Sequence, residues 1–379
     1  MFTPSDFDEI RPFRDEEVDD VLGQLSKDED SLKYLQLIFP KLSKEEILDK
    51  LKNLHTIKDF QVGITYPALQ RLLKETTDGL SHSGFDQVDE NQSYLYISNH
   101  RDIVLDSALL NYILHISGHE TTEVGIGSNL LMTPFTTWLA KLNRNFVVNR
   151  NVPPRQMYNY SQLLSAYIRH TLTEKQTSVW IAQGEGRAKD GNDQTQAGLL
   201  KMFTLSSGEE DFIESKRMLN IRPFAISYEL NPCDIMMAQE IYIRKTTGSY
   251  EKKAGEDLQS MITGISGYKG RVHLSLAKPL DKELEALKTC KNKNEQIREL
   301  AKMIDQKIYE NYKLWPSNWI AYDVLHETNH ITKYSQEERS RFMQYLGGRI
   351  MMMEGDKTEL RKILLQMYSY PVSNYLASK

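Results

Sequence analysis

An α/β fold is predicted, with a mixed, mostly parallel sheet, flanking helices, and helical extensions at the N- and C-termini. Two observations predict it. Between residues 85 and 280 short apolar runs alternate with helical patterns, the texture of a sheet covered by helices. On either side of that stretch only helical patterns and their punctuation remain.

Residues 1–84 read as a region of short helices. Ser43-Lys-Glu-Glu46 is a capping box ahead of Ile47, Leu48 and Leu51, and Pro67 opens a helix that Gly79 can close. The apolar face of Leu32, Leu35, Leu37, Ile38 and Phe39 suits a helix packed on a core or one resting on a bilayer. A polar stretch, DGLSHSGFDQVDENQS, then leads into residues 85–280. The expected strands are Tyr94 to Ser98, Val124 to Ile126, Phe146 to Val148, Ser178 to Gln183, Ile221 to Tyr228 and Val272 to Leu276. Leu163, Leu164, Tyr167, Ile168 and Leu172 mark a helix between two of them. Residues 281–379 turn helical again: Ile297, Leu300, Ile304 and Ile308 share a face, Trp315-Pro316 breaks it, and Ser335-Gln-Glu-Glu338 restarts it.

The length of 379 residues and the 40% hydrophobic content are enough for a large core. The longest nearly apolar run, near Ala108 to Ile116, is about half the ~18 residues that argue for a membrane span. The expected location is therefore the cytoplasm, or the cytoplasmic face of a membrane. Cys233 and Cys290 form neither a disulfide framework nor a thiolate metal site. A net charge of −5 argues against nucleic acid as a partner, but eleven acidic and three basic residues fall within the first thirty, which leaves the remainder at +3.

Chemistry is expected where strands end. In "YISNHRDIVLD", residues 96 to 106, Asn99 and His100 arrive as the first expected strand closes, and Ile103, Leu105, Ala108 and Leu109 announce a helix. Free amides at such a helix start stabilise negative charge, and a His there can act as a base if a carboxylate fixes its tautomer. Asp102 and Asp106 are the two local carboxylates. The same residues also suit plain helix capping. A kinase catalytic loop, which also begins His-Arg-Asp, is rejected because Ser107 stands where it needs Asn.

The stretch SNHRDIVLD resembles the first motif of the glycerol-phosphate and lysophosphatidate (1-acylglycerol-3-phosphate) acyltransferase superfamily. Three more stretches follow in that family's order: NFVVNR ending at Arg150, WIAQGEGRAKDG with Glu185, Gly186, Arg187 and Lys189, and IRPFAISYE with Pro223. VHLSLAKPL resembles the strand that closes such domains, and SNLLMTPF fits between the first two motifs. Spacing departs from the pattern: five residues separate His100 from Asp106 and none separates Gly186 from Arg187, which implies a divergent, bacterial-type member.

The resemblance implies acyl transfer from acyl-CoA or an acyl carrier protein to a hydroxyl of a glycerol phosphate or lysophospholipid-type acceptor. His100 would be the general base and Asp106, or Asp102, its orienter. Asn99, Arg150, Glu185, Gly186, Arg187, Lys189 and Pro223 would bind substrate. No metal or redox cofactor is implied, and a membrane surface joins the lipid acceptor and acyl donor among the expected partners. Two other readings stand beside this one: a zinc peptidase built on HETNH, residues 326 to 330, and a lipid-binding homologue without activity. His115 and His119 also lie four apart, without a third ligand in view.

Overall fold

Six strands form where the apolar runs fall, and a seventh joins them. In the computed structural model, which describes residues 2–150, 152–207 and 211–379, the strands are β1 (Leu80–Ser83), β2 (Leu95–Ser98), β3 (Glu123–Gly127), β4 (Asn145–Val148), β5 (Val179–Ala182), β6 (Ile221–Tyr228) and β7 (Val272–Leu276). They make one sheet in the order β1-β7-β6-β2-β5-β3-β4. Strands β2 to β6 run parallel, β7 is antiparallel to β6, and β1 is parallel to β7.

β1 is the strand that the sequence reading takes for polar linker. Its four residues, Leu-Ser-His-Ser, are half-exposed or exposed because it is the sheet edge, so no apolar alternation marks it. It is held by register with β7 and by Gly84, whose φ of 80° brings the chain so close to β7 that a Cβ there would lie 2.3 Å from the Leu276 carbonyl oxygen.

The central strands are buried on both faces, as parallel strands under helices must be. Leu95 and Ile97 of β2 face a core with Phe146, Val179, Ile221, Leu300 and Ile304. Tyr94 and Tyr96 face the opposite core with Leu109, Ile113, Phe224 and Leu274. Burying each large apolar side chain of this kind contributes roughly 1.5–3 kcal/mol.

The N-terminal helices form their own core. Leu32 and Leu35 of the helix Glu29–Ile38 are buried with Val18, Leu22 and Phe60, so this face packs inward rather than on a bilayer; Leu37 alone is 74% exposed. The C-terminal helices Pro316–His326, Gln336–Met351 and Lys357–Ala377 pack around Ile320, Phe342, Leu360 and Leu364, together with Met237 and Ala238. Both capping boxes read from sequence, Ser43 with Glu46 and Ser335 with Glu338, are formed. Among the described residues no helix is long and apolar enough to cross a membrane.

The parallel strands β2, β4, β5 and β6 all point their carboxyl ends at one edge of the sheet. That edge collects the loops carrying His100, Arg150, Glu185 to Lys189, and Tyr228.

Candidate active site

β2 ends at Ser98, and the next residue ties it to its neighbour. Asn99 is fully buried; its Nδ2 donates to the Ile226 carbonyl at 2.9 Å and its Oδ1 accepts the Ile226 amide at 2.8 Å. The carboxamide thus joins β2 to β6. Pro223 is likewise buried inside β6, level with Ile97, with its carbonyl accepting the Ala277 amide at 3.0 Å. It is part of the strand itself.

His100 follows at the mouth. Its Nδ1 lies 2.8 Å from Asp106 Oδ2 and its ring is 14% exposed, edge-on to Trp180 with centroids 5.9 Å apart. The same Oδ2 accepts the backbone amides of Arg101 at 2.6 Å and Asp102 at 3.0 Å. With its carboxylate fixed in this way, the imidazole donates from Nδ1 and carries its lone pair on Nε2. Tyr228, at the end of β6, faces this buried group; burial, then the charges of Asp106 and Asp102, hold its phenol well above the ordinary range.

Asp102 does a different job. Its Oδ1 accepts the amides of Val104 at 2.9 Å and Leu105 at 2.8 Å, capping the helix Leu105–Ile116. Burial, then the neighbouring Asp106, push its carboxyl above the ordinary carboxylate value. Of the two carboxylates left open by the sequence, Asp106 is the one at the imidazole. The amides of residues 101, 102, 104 and 105 are all taken by these carboxylates, so they are not the free anion-stabilising donors expected of this helix start.

The arginines of the second and third motifs differ in what holds them. Arg150 pairs through Nη1 with Glu185 Oε1 at 2.8 Å, and its amide donates to Ser128 Oγ at 3.1 Å. Arg187 donates from Nη2 to Ser260 Oγ at 2.6 Å, while its Nη1 is buried with no hydrogen-bond partner among the described residues. A buried guanidinium nitrogen without a partner is costly, and is suited to an incoming anion. Lys189 is already paired with Glu240, which Arg244 also contacts at 2.8 Å. Gly186 has a φ of 74°, a left-handed conformation that lets the loop turn between Glu185 and Arg187.

Several contributors carried no signal in the sequence. Arg101, half-buried, forms a bidentate pair with the buried Asp193, which also accepts the Tyr312 hydroxyl. Ser260 and Gly264 approach from the helix Glu256–Ser266; a Cβ on Gly264 would sit 2.1 Å from Asp102 Oδ2. Burial of small residues on a helix otherwise carrying Leu and Ile is visible only in three dimensions.

HETNH does not form the helix that the zinc reading requires. The helix Pro316–His326 stops at its first histidine, and Glu327 turns left-handed with φ 55°. His330 folds back so that its Nδ1 meets Asp323 Oδ1 at 2.6 Å, while the His326 ring lies on Tyr322 at 4.4 Å. The two imidazoles therefore do not share one helical face, which overturns the geometry of that reading. Nor do His115 and His119 pair: one stacks on Tyr66 at 4.7 Å, and the other bonds the Phe85 carbonyl at 3.1 Å through Nε2. Among the described residues no group of three or more His, Cys, Asp or Glu is arranged to hold a metal ion.

Residues 80–208 match the protein-family model described as Acyltransferase, a span containing the first three motifs and β1 to β5. Comparison with curated proteins gives no match. Among solved structures, the chain is similar to the crystal structure of the 1-acyl-sn-glycerophosphate (LPA) acyltransferase PlsC from Thermotoga maritima, with 11% identity and a TM-score of 0.36 over 79% of this chain and 97% of that one. The likeness to the Acyltransferase family thus lies in residues 80–208, about a third of the chain, the part of the sheet that carries His100, Arg150 and Arg187.

Proposed function

We propose that the enzyme moves a fatty acyl group from acyl-CoA or an acyl carrier protein to a hydroxyl of a glycerol phosphate or lysophospholipid-type acceptor. The observation that carries this reading is the His100–Asp106 contact of 2.8 Å, which leaves the Nε2 lone pair at the mouth of the sheet edge. Nε2 takes the acceptor hydroxyl proton as that oxygen attacks the thioester carbonyl, and Asp106 stabilises the imidazolium. Collapse of the tetrahedral intermediate expels the thiolate, which recovers the proton from Nε2 and leaves as free thiol. The new ester and the thiol account for every atom, and no protein nucleophile or bound metal takes part in any step.

Arg187, with its unmatched Nη1, is assigned to the acceptor phosphate. Arg150 joins it if the phosphate displaces Glu185, whose side chain is 72% exposed. Lys189, held by Glu240, supplies background charge rather than a direct contact.

The test is thiol release from long-chain acyl-CoA with glycerol 3-phosphate and lysophosphatidate supplied in parallel, for wild type and His100→Ala. Acceptor-dependent release that falls at least ~100-fold in the variant supports a general base. Release indifferent to the substitution removes His100 from the chemistry.

A further inference from the structure

Asp106 Oδ1 and the hydroxyl of Tyr228 are both buried, and neither has a hydrogen-bond partner of ordinary geometry among the described residues. Such atoms are rare in a folded chain, because each gives up water without a replacement. These two are also neighbours. The phenol is held well above its ordinary range by burial first, then by the charges of Asp106 and Asp102, and last by its side-chain approach to Asp106.

Asp106 has room for one more donor. Its side chain is fully buried, and Oδ2 already takes His100 Nδ1 and the amides of Arg101 and Asp102. Oδ1 is therefore the acceptor left open on a carboxylate with no access to water. A phenol kept protonated beside it has a proton to give.

The backbone around Tyr228 fixes where the hydroxyl stands. Phe224, Ile226 and Tyr228 alternate along one face of β6, the face they share with Trp180, whose ring lies edge-on to His100. On either side of Tyr228, the Trp315 indole donates to the Ser227 carbonyl at 3.1 Å and Ser317 Oγ to the Glu229 carbonyl at 2.7 Å. Asn99 ties the same strand to β2 one residue before His100. A side chain carried on a strand end pinned in this way holds its neighbour more closely than one on a free loop.

We propose that Tyr228 is a positioning residue: its hydroxyl donates to Asp106 Oδ1 and holds that carboxylate against the imidazole of His100. The consequence for catalysis rests on the reading of His100 as the base; the geometry does not. A donor on Oδ1 draws negative charge away from Oδ2, so it also limits how strongly Asp106 favours imidazolium. The other charged groups about the pair are Arg101, Asp102, Arg187 and Lys269, and all of them remain when the phenol is cut back to a phenyl ring. The rival place for the hydroxyl is a cavity of about 50 Å3, which Tyr228 lines with Arg101, Asp102 and Lys189 and which has room for water.

The experiment follows the His100 ring by nuclear magnetic resonance in full-length protein without substrates, so that its failure is separable from failure of the acyl-transfer reading. The ring signal is assigned by its loss in His100→Ala. Tyr228→Phe removes the hydroxyl alone, and its urea unfolding midpoint is measured alongside. The His100 titration midpoint should rise by about 0.5–1 pH unit in the variant. The acid limb of kcat/KM for thiol release should rise with it, a loss of roughly 3- to 10-fold on that limb. In an Asp106→Asn background the same substitution should move the midpoint by less than about 0.2 unit. In wild type the Tyr228 hydroxyl proton should give a slowly exchanging low-field signal, a check that does not need the variant to fold. An unmoved midpoint in folded Tyr228→Phe, an equal shift in the Asp106→Asn background, or no such signal in wild type overturns the proposal. A shifted midpoint in a protein that transfers no acyl group supports Tyr228 in this place while sinking the function proposed above.

Discussion

Replacing Asp106 by Asn isolates the charge of the orienting carboxylate from its geometry. Three donors, His100 Nδ1 and the amides of Arg101 and Asp102, converge on one oxygen, Oδ2. An Asn amide oxygen placed there accepts all three, and its NH2 group falls on the side facing Tyr228, whose hydroxyl can accept it. The Nδ1–H tautomer is then retained, and what disappears is the negative charge that stabilises imidazolium in the transition state. Opposite charges about 4 Å apart interact by about 4 kcal/mol at an effective dielectric near 20. At about 1.4 kcal/mol per decade this corresponds to a loss of roughly 10²- to 10³-fold in kcat/KM. Asp102→Asn is the control: its neutral amide keeps the cap on Val104 and Leu105, and kcat/KM should stay within roughly threefold of wild type. Thiol release under subsaturating acyl-CoA reads both variants, with unfolding midpoints measured alongside. Asp106→Asn with wild-type kcat/KM, or Asp102→Asn losing as much as Asp106→Asn while equally stable, would refute the assignment.

Three other outcomes follow from the geometry. Arg187→Ala should raise KM for a phosphate-bearing acceptor roughly 10- to 100-fold with a smaller change in kcat, and Arg187→Lys should not restore it; an unchanged KM in acceptor titrations removes Arg187 from phosphate binding. Among the described residues Lys216 is buried without a hydrogen-bond partner, between Phe203 and Phe212, and burial, then Arg169 and Lys293, push its amine down to about 6. The unfolded chain therefore binds the extra proton between about pH 6 and 10, so wild-type stability climbs across that window; Lys216→Met should be more stable at pH 7, by up to about 4 kcal/mol, and lose the climb in urea titrations. Asp305 has the opposite sign: burial lifts its carboxyl to about 6 against the bonds from Thr195, so the folded protein holds the extra proton and stability falls as pH rises from about 4 to 6. Asp305→Asn should flatten that fall in denaturation series at pH 4.5 and 6.5, and an unaltered slope contradicts it.

What was legible in the sequence depended on how local its cause was. β6 and β7 were read to the residue, β6 from eight largely apolar residues and β7 from the alternation of Val272, Leu274 and Leu276 with polar residues. The contact between His100 and Asp106 was legible because the strand end, the imidazole and the carboxylate lie within seven residues of chain. β1 was not, since an edge strand of Leu-Ser-His-Ser takes its identity from pairing with β7, about 190 residues away. Asn99 and Pro223, singled out by motif membership, have parts in the sheet that the motif did not reveal, one through Ile226 and one inside β6. HETNH failed for a reason no spacing could reveal, because Asp323 captures His330 and the helix ends at His326.

A site built from strand ends still depends here on the C-terminal helices. The Arg101 amide holds Asp106, and the Arg101 guanidinium pairs with the buried Asp193. Asp193 in turn accepts the Tyr312 hydroxyl, and its carbonyl accepts Tyr309, at the end of the helix Lys293–Glu310. A largely buried ion pair of this kind is tolerable only while both partners and their hydrogen bonds stay in place. Gly191, two residues before Asp193, has a φ of 83° and lies so close to the helix Lys357–Ala377 that a Cβ would stand 2.2 Å from the Met367 carbonyl oxygen. The peptide after His100 is thus clamped between a carboxylate of its own loop, Asp106, and a chain of contacts ending on two C-terminal helices. If His100 is the base proposed above, substitutions that loosen those helices are expected to lower activity through Asp106, without any contact to a substrate.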